Sequence, residues 1–150
     1  MANSKAHRDA EDWVRENRLH LQFNTKFHKK RLSLRTGGVF EFDAVSEDGR
    51  IAISISTSGG ETTGQKKASP KMNKIRSDAL FLLLADVDQR YIMFTEPKMF
   101  ALCEEQIRLK RFPTEVQILL ETLPDELEDS LVKSRRFAAE VINPRSKNDA

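Results

Sequence analysis

Apolar residues recur along this chain with two alternating periods, and the changes of period divide it into elements. Ala10, Trp13, Val14, Asn17 and Leu21 fall on one side at helical spacing, with Glu11, Arg15 and Arg18 on the flanks, which predicts a helix starting near Asp9. The segment Phe23 to Leu34 is basic, and Leu32 and Leu34 alternate with polar neighbours over Lys30 to Arg35, so a strand is expected there before the Gly37-Gly38 turn.

The period-2 signal is clearest in GVFEFDAVSEDGRIAISISTS, residues 38 to 58. Side chains of a strand change sides at each residue, so Phe40, Phe42 and Ala44 are expected on one face and Val39, Glu41, Asp43 and Val45 on the other. Ser46-Glu47-Asp48-Gly49 reads as a turn. Ile51, Ile53, Ile55 and Thr57 then share one face of the next strand, with Ala52, Ser54, Ser56 and Ser58 on the other.

Gly59-Gly60 to Gly64 reads as a mobile loop, and Ser69-Pro70 as a helix start with Ser as cap and Pro in the first turn. Met72, Ile75, Ala79, Leu82 and Leu83 form the expected buried stripe, with Lys71 and Lys74 outward; the apolar ALFLLL at its end also fits a strand. Tyr91 to Thr95 reads as a strand, and Thr95-Glu96-Pro97 opens a helix through Met99, Leu102, Cys103, Gln106 and Ile107 that Phe112-Pro113 ends. Val116, Ile118 and Leu120 alternate in a further strand. A last helix starts at Pro124, with Asp125, Glu126, Glu128 and Asp129 near its positive end and Arg135 and Arg136 towards its negative end.

The order is αβββαβαβα, an α/β class in which the last strands, joined through helices, pair in parallel and helices flank the sheet. With 150 residues the chain holds one domain: residues 9–143 are read as that domain, with flexible tails at 1–8 and 144–150. A composition of 39% hydrophobic and 32% charged residues belongs to a folding globular chain rather than a disordered one.

Cys103 is the single cysteine; it sits in an apolar helical pattern and reads as a buried structural thiol in a cytoplasmic, reducing setting. The longest apolar run, Ala79 to Ala85, is far shorter than a membrane span, so no membrane partner is expected. GGETTGQKK lacks the spacing and ending of a phosphate-binding P-loop, which argues against an NTPase. His7, His20 and His28 share no metal-ligand spacing and read as solvated, His7 within the N-terminal tail.

Charge is distributed unevenly although the formal net charge is only +2. Arg15, Arg18, Lys26, Lys29, Lys30, Arg31 and Arg35 cluster near the N-terminus, a second basic cluster comprises Lys66, Lys67, Lys71, Lys74 and Arg76, and Glu121 to Asp129 is acidic. Either basic cluster can be a solvated surface or a phosphate-contacting one.

A helix, three antiparallel strands, a helix and a further strand resembles the core order of the PD-(D/E)XK, or restriction-endonuclease-like, superfamily, over roughly Asp9 to Thr95. That family carries an aspartate on the second strand and a Glu-x-Lys or Asp-x-Lys triplet on the third. FEFDAV is similar to the first part, with Asp43 at the aspartate position; AISIST is similar to the second, with Ser54 where the acid and Ser56 where the lysine would stand.

In the family two carboxylates hold a divalent metal and the ammonium helps to activate water, which neutral hydroxyls cannot do. The resemblance therefore implies a remnant site of Asp43, Ser54 and Ser56 in a non-catalytic protein. It would need no cofactor and would bind nucleic acid through the second basic cluster, with Lys26 to Arg35 as a further candidate surface.

A second reading keeps a Mg²⁺- or Mn²⁺-dependent nuclease. Asp43 and Glu41 would then be the metal ligands, or Glu61, Glu11 or Glu16 would supply an acid and Lys66, Lys67 or Lys71 the ammonium. A third is a protein-interaction scaffold. A protein partner or homodimer is compatible with all three readings.

Overall fold

The computed structural model describes residues 5–59 and 69–142, the side chains of 69 and 137–142 excepted. Its elements are α1 (Lys5–Asn17), α2 (Leu19–Phe23), β1 (Phe27–Ser33), β2 (Val39–Ser46), β3 (Ile51–Ser56), α3 (Ser69–Leu84), β4 (Gln89–Phe94), α4 (Pro97–Arg108), β5 (Val116–Leu120) and α5 (Asp125–Ile142). The strands form one five-stranded mixed sheet in the order β1-β2-β3-β4-β5. β1, β2 and β3 are antiparallel neighbours, and β3, β4 and β5 run parallel. Each parallel crossover contains a helix, α3 and then α4, as a parallel pair requires.

Helices cover both faces. On one, Met72, Ile75, Ala79 and Leu82 of α3 and Met99 and Cys103 of α4 pack on Phe42, Val45, Ala52, Ile92 and Phe94. On the other, Ala10 and Val14 of α1 and Leu131 of α5 pack on Ala44, Ile53, Ile55 and Met93. Ile53, Phe42, Phe94 and Leu131 are wholly buried, and each such side chain is worth roughly 1.5–3 kcal/mol relative to exposure. ALFLLL belongs to the end of α3, whose last carbonyls are held by Arg90: Nε donates to Leu82 O at 2.6 Å and an Nη to Ala85 O at 2.8 Å.

The N-terminal region departs from the expected pattern in two ways. Helix α1 already includes Lys5 to Arg8, which were expected in a tail. It also breaks after Asn17, and the short α2 follows, closed by Asn24 in the left-handed region at φ 56°. The break turns the helical phase, so Leu19 is buried and Leu21, expected in the stripe, is 66% exposed.

Strand β2 corrects the straight alternation read from FEFDAV. Its register with β1 changes between Lys30↔Phe42 and His28↔Val45, so Asp43 and Ala44 together face Lys29, the arrangement of a β-bulge. The bulge reverses the phase: Phe40, Phe42 and Val45 lie on the α3 side, and Ala44 lies on the α1 side. Only Ala44↔Ile53 and Val45↔Ala52 pair β2 with β3, and beyond them, towards Asp43, no further rungs join the two strands. The loop expected at Gly59-Gly60 to Gly64 lies, from Gly60 onward, outside the described residues, as does the C-terminal tail.

Candidate functional site

Asp43 sits where β2 and β3 part. One oxygen of its carboxylate accepts the N–H of Ile55 at 2.8 Å, so the side chain supplies the acceptor that a further β2 rung would have provided. Its carbonyl, turned out of the ladder by the bulge, accepts from Arg15 at 3.0 Å. Arg15 is anchored on α1 by Glu11 at 3.2 Å and by Asp12. Sequence, local geometry and packing converge here: a bulge exposes backbone polar groups, and a carboxylate and a guanidinium satisfy them.

Ser54 and Ser56 are buried, at 3% and 8% exposure, on the same side of β3 as Ala52. Strand β3 also places Ser56 against β4, where its carbonyl accepts the Thr95 N–H at 3.1 Å and the Thr95 hydroxyl at 3.3 Å. Positions where the resemblance expects an acid and a lysine thus carry small hydroxyl side chains in an interior.

Burial pushes the Asp43 carboxyl above the ordinary carboxylate range; the Ile55 N–H opposes this, the charge of Asp78 adds to it, and Lys74 and Lys29 oppose it. Glu11 is also raised, first by burial and then by Asp43, against Lys29 and Arg15. Asp78 on α3 is raised by burial, with Lys74 holding it down through a 2.8 Å ion pair. Asp43 therefore lies within electrostatic reach of acids on both flanking helix layers. Asp78 was missed in the sequence because Lys74 and Asp78, four residues apart on a helix, look like an ordinary surface pair.

Glu41 is exposed and its ion pair is with Lys29, at 3.8 Å. Glu16 is exposed on α1, and Glu61, Lys66 and Lys67 lie outside the described residues. Among the described residues no group of three or more His, Cys, Asp or Glu is arranged to hold a metal ion.

The remaining basic positions of α3 do not make one patch. Lys74 is paired with Asp78; Arg76 donates to Asn73 and, at 2.9 Å, to Gln106 of α4. Lys71, expected outward, is half-buried and its proton affinity is lowered by burial and by Arg135, with Glu96 acting in the opposite sense. The row on and beside β1, an edge strand, is different: Lys26, His28, Lys29, Lys30, Arg31 and Arg35 are all exposed, although Lys29 lies 3.8 Å from both Glu11 and Glu41 and Arg35 donates to the Leu83 carbonyl.

His7 overturns the solvated reading. It is half-buried on α1 and shares a 2.6 Å hydrogen bond between Nδ1 and the Thr57 hydroxyl just past β3. His20 and His28 are exposed. Cys103 is buried, and burial pushes its thiol up to about 12, in keeping with a structural role.

Among the described residues no helix is long and apolar enough to cross a membrane. Comparison with family models, with curated proteins and with solved structures gives no match for this chain.

Proposed function

We propose that the chain is a restriction-endonuclease-like protein lacking the usual metal site, and that it binds nucleic acid through phosphate contacts without cutting it. The element order of helix, three antiparallel strands, helix and strand supports the fold reading. What supports the loss of catalysis is the use of the Asp43 carboxylate: it holds the Ile55 N–H, beside buried Ser54 and Ser56.

The observation that carries the binding reading is the exposed basic row along β1. Lysine and arginine on an edge strand also discourage edge-to-edge pairing of sheets, so charge there has a structural use as well. A polyanion contact adds a signature that this use lacks, namely affinity that falls steeply with salt.

Fluorescence anisotropy with labelled duplex and single strands separates the two. Binding at low salt is expected, and Lys30→Glu with Arg31→Glu should weaken it for all sequences alike and make the salt dependence shallower by about two counterions. Absence of low-salt binding, or binding indifferent to salt, contradicts the proposal.

A second reading, a metal-dependent nuclease with relocated groups, draws support from one observation: Glu11, Asp43 and Asp78 are all shifted upward, and Lys74 stands beside Asp78. Perturbed acids cluster at catalytic sites as well as in structural networks. Cleavage in Mg²⁺ or Mn²⁺ that disappears in Asp78→Asn would select this reading.

A further inference from the structure

Beyond the last residue of β3, side chains from both helix layers meet. His7 of α1 reaches the Thr57 hydroxyl at 2.6 Å, and an Nη of Arg135 on α5 donates to the Thr57 carbonyl at 2.7 Å. Lys71, in the first turn of α3, comes from the opposite layer. Two of them register their basic neighbours: His7 is pushed below its ordinary value by burial, then by Arg135 and by Lys71, and Lys71 is lowered by burial and then by Arg135.

Basic groups crowded in this way repel one another, and the repulsion is costly where water is partly excluded. Two acids stand nearby. Glu128 lies 3.8 Å from Arg135, and Glu96, which acts on Lys71, also accepts the Met99 N–H at the start of α4.

Among the described residues the buried Arg135 Nε has no hydrogen-bond acceptor, in a side chain that is 20% exposed. A buried guanidinium N–H without an acceptor costs of order 1–3 kcal/mol, a cost that an arriving acceptor would relieve. The guanidinium also lies against Gly59, where a Cβ would stand 3.2 Å from Arg135 Cδ; a larger residue would push the side chain away. The place is the C-terminal end of parallel strands, with α3 and α4 starting beside it, where α/β sheets receive ligands.

We propose that this end of β3 binds a phosphoryl oxyanion, with Arg135, Lys71 and His7 as its donors. A tetrahedral anion presents several oxygens at once, which suits a guanidinium edge, an ammonium and an imidazole arriving from different directions. The site is independent of the basic row on β1 and stands whether or not that row contacts a nucleic acid.

Inorganic phosphate is the probe. Titrated into the whole chain at constant ionic strength against chloride, it should bind saturably and shift the backbone amide resonances of Thr57, Ser58 and Gly59. Arg135→Gln and Lys71→Gln, each checked for folding by circular dichroism, should weaken binding at least about tenfold, the loss of a charge-assisted contact.

A parallel arm compares short strands carrying a 5′-phosphate with the same strands ending in a hydroxyl. Tighter binding of the phosphorylated strand identifies a strand end as the source, and equal binding identifies a free phosphate compound; both support the site. No saturable phosphate binding by the parent protein, or unchanged binding in the folded Lys71→Gln and Arg135→Gln variants, overturns it.

Discussion

The Asp43 carboxylate accepts the Ile55 N–H at 2.8 Å across the point where β2 and β3 separate. The contact gives Asp43 a structural duty, and it can be measured by changing the acceptor without changing the shape. Asp43→Asn keeps an oxygen for Ile55 and removes a buried charge, so its stability should stay within about 1 kcal/mol of the parent. Asp43→Ala leaves the Ile55 N–H without that acceptor and should cost about 1–3 kcal/mol in chemical denaturation. Equal stability of the two variants would mean that the hydrogen bond does not hold the split.

The raised acids give stability a definite pH dependence. Asp78 binds its proton more tightly in the native state than in the unfolded chain, where an aspartate titrates near about 4. Between those two values the native state holds more protons, so this contribution to stability falls as pH rises. The Lys74 partner in the ion pair is largely exposed, so the pair recovers less than about 1 kcal/mol. Melting temperatures of Asp78→Asn and the parent should therefore diverge in favour of the variant from pH 4 towards pH 7. A difference that is constant or shrinks over that range contradicts the burial argument.

His7 works in the other direction. Its proton affinity is depressed by burial and by Arg135 and Lys71, and it faces Thr57, with Glu96 acting on the neighbouring Lys71. Below about pH 6.5 the unfolded chain takes up this proton before the native one does, so stability contributed by neutral His7 is lost as pH falls towards its native value. Proton resonances of the His7 ring should titrate below the ordinary histidine value of about 6.5. A higher midpoint for His7 would remove the like-charge crowding at the end of β3.

Cys103 should be inert in the folded protein. With the thiol buried and raised to about 12, almost no thiolate exists near neutral pH. Reaction with a disulfide reagent at pH 8 should be slow until denaturant is added, and prompt labelling of the native chain would contradict its position in the core.

The long periodic stretches were readable because burial on one face imposes a period: the stripe Met72, Ile75, Ala79, Leu82 and the alternation Ile51, Ile53, Ile55 reappear as the two core layers. What could not be read is where that period is interrupted. FEFDAV alternates cleanly, yet a bulge at Asp43 and Ala44 moves Val45 to the α3 side, because Phe42 and Val45 both find room there and Ala44 is small enough to lie under α1.

The break after Asn17, which buries Leu19 instead of Leu21, escaped for the same reason. Asp78, His7 and Arg135 owe their importance to neighbours remote in the chain. No spacing within the sequence announces Arg135 meeting Thr57 or Asp78 acting on Asp43.

Titration with Mn²⁺, followed by calorimetry on the parent and Asp43→Asn proteins, asks whether Asp43 holds a metal. Because Asp43 is occupied by Ile55 and its carboxyl is raised, both proteins should show the same weak, unsaturated response. A stoichiometric Mn²⁺ site in the parent that vanishes in Asp43→Asn would show Asp43 to be a metal ligand and contradict the non-catalytic reading.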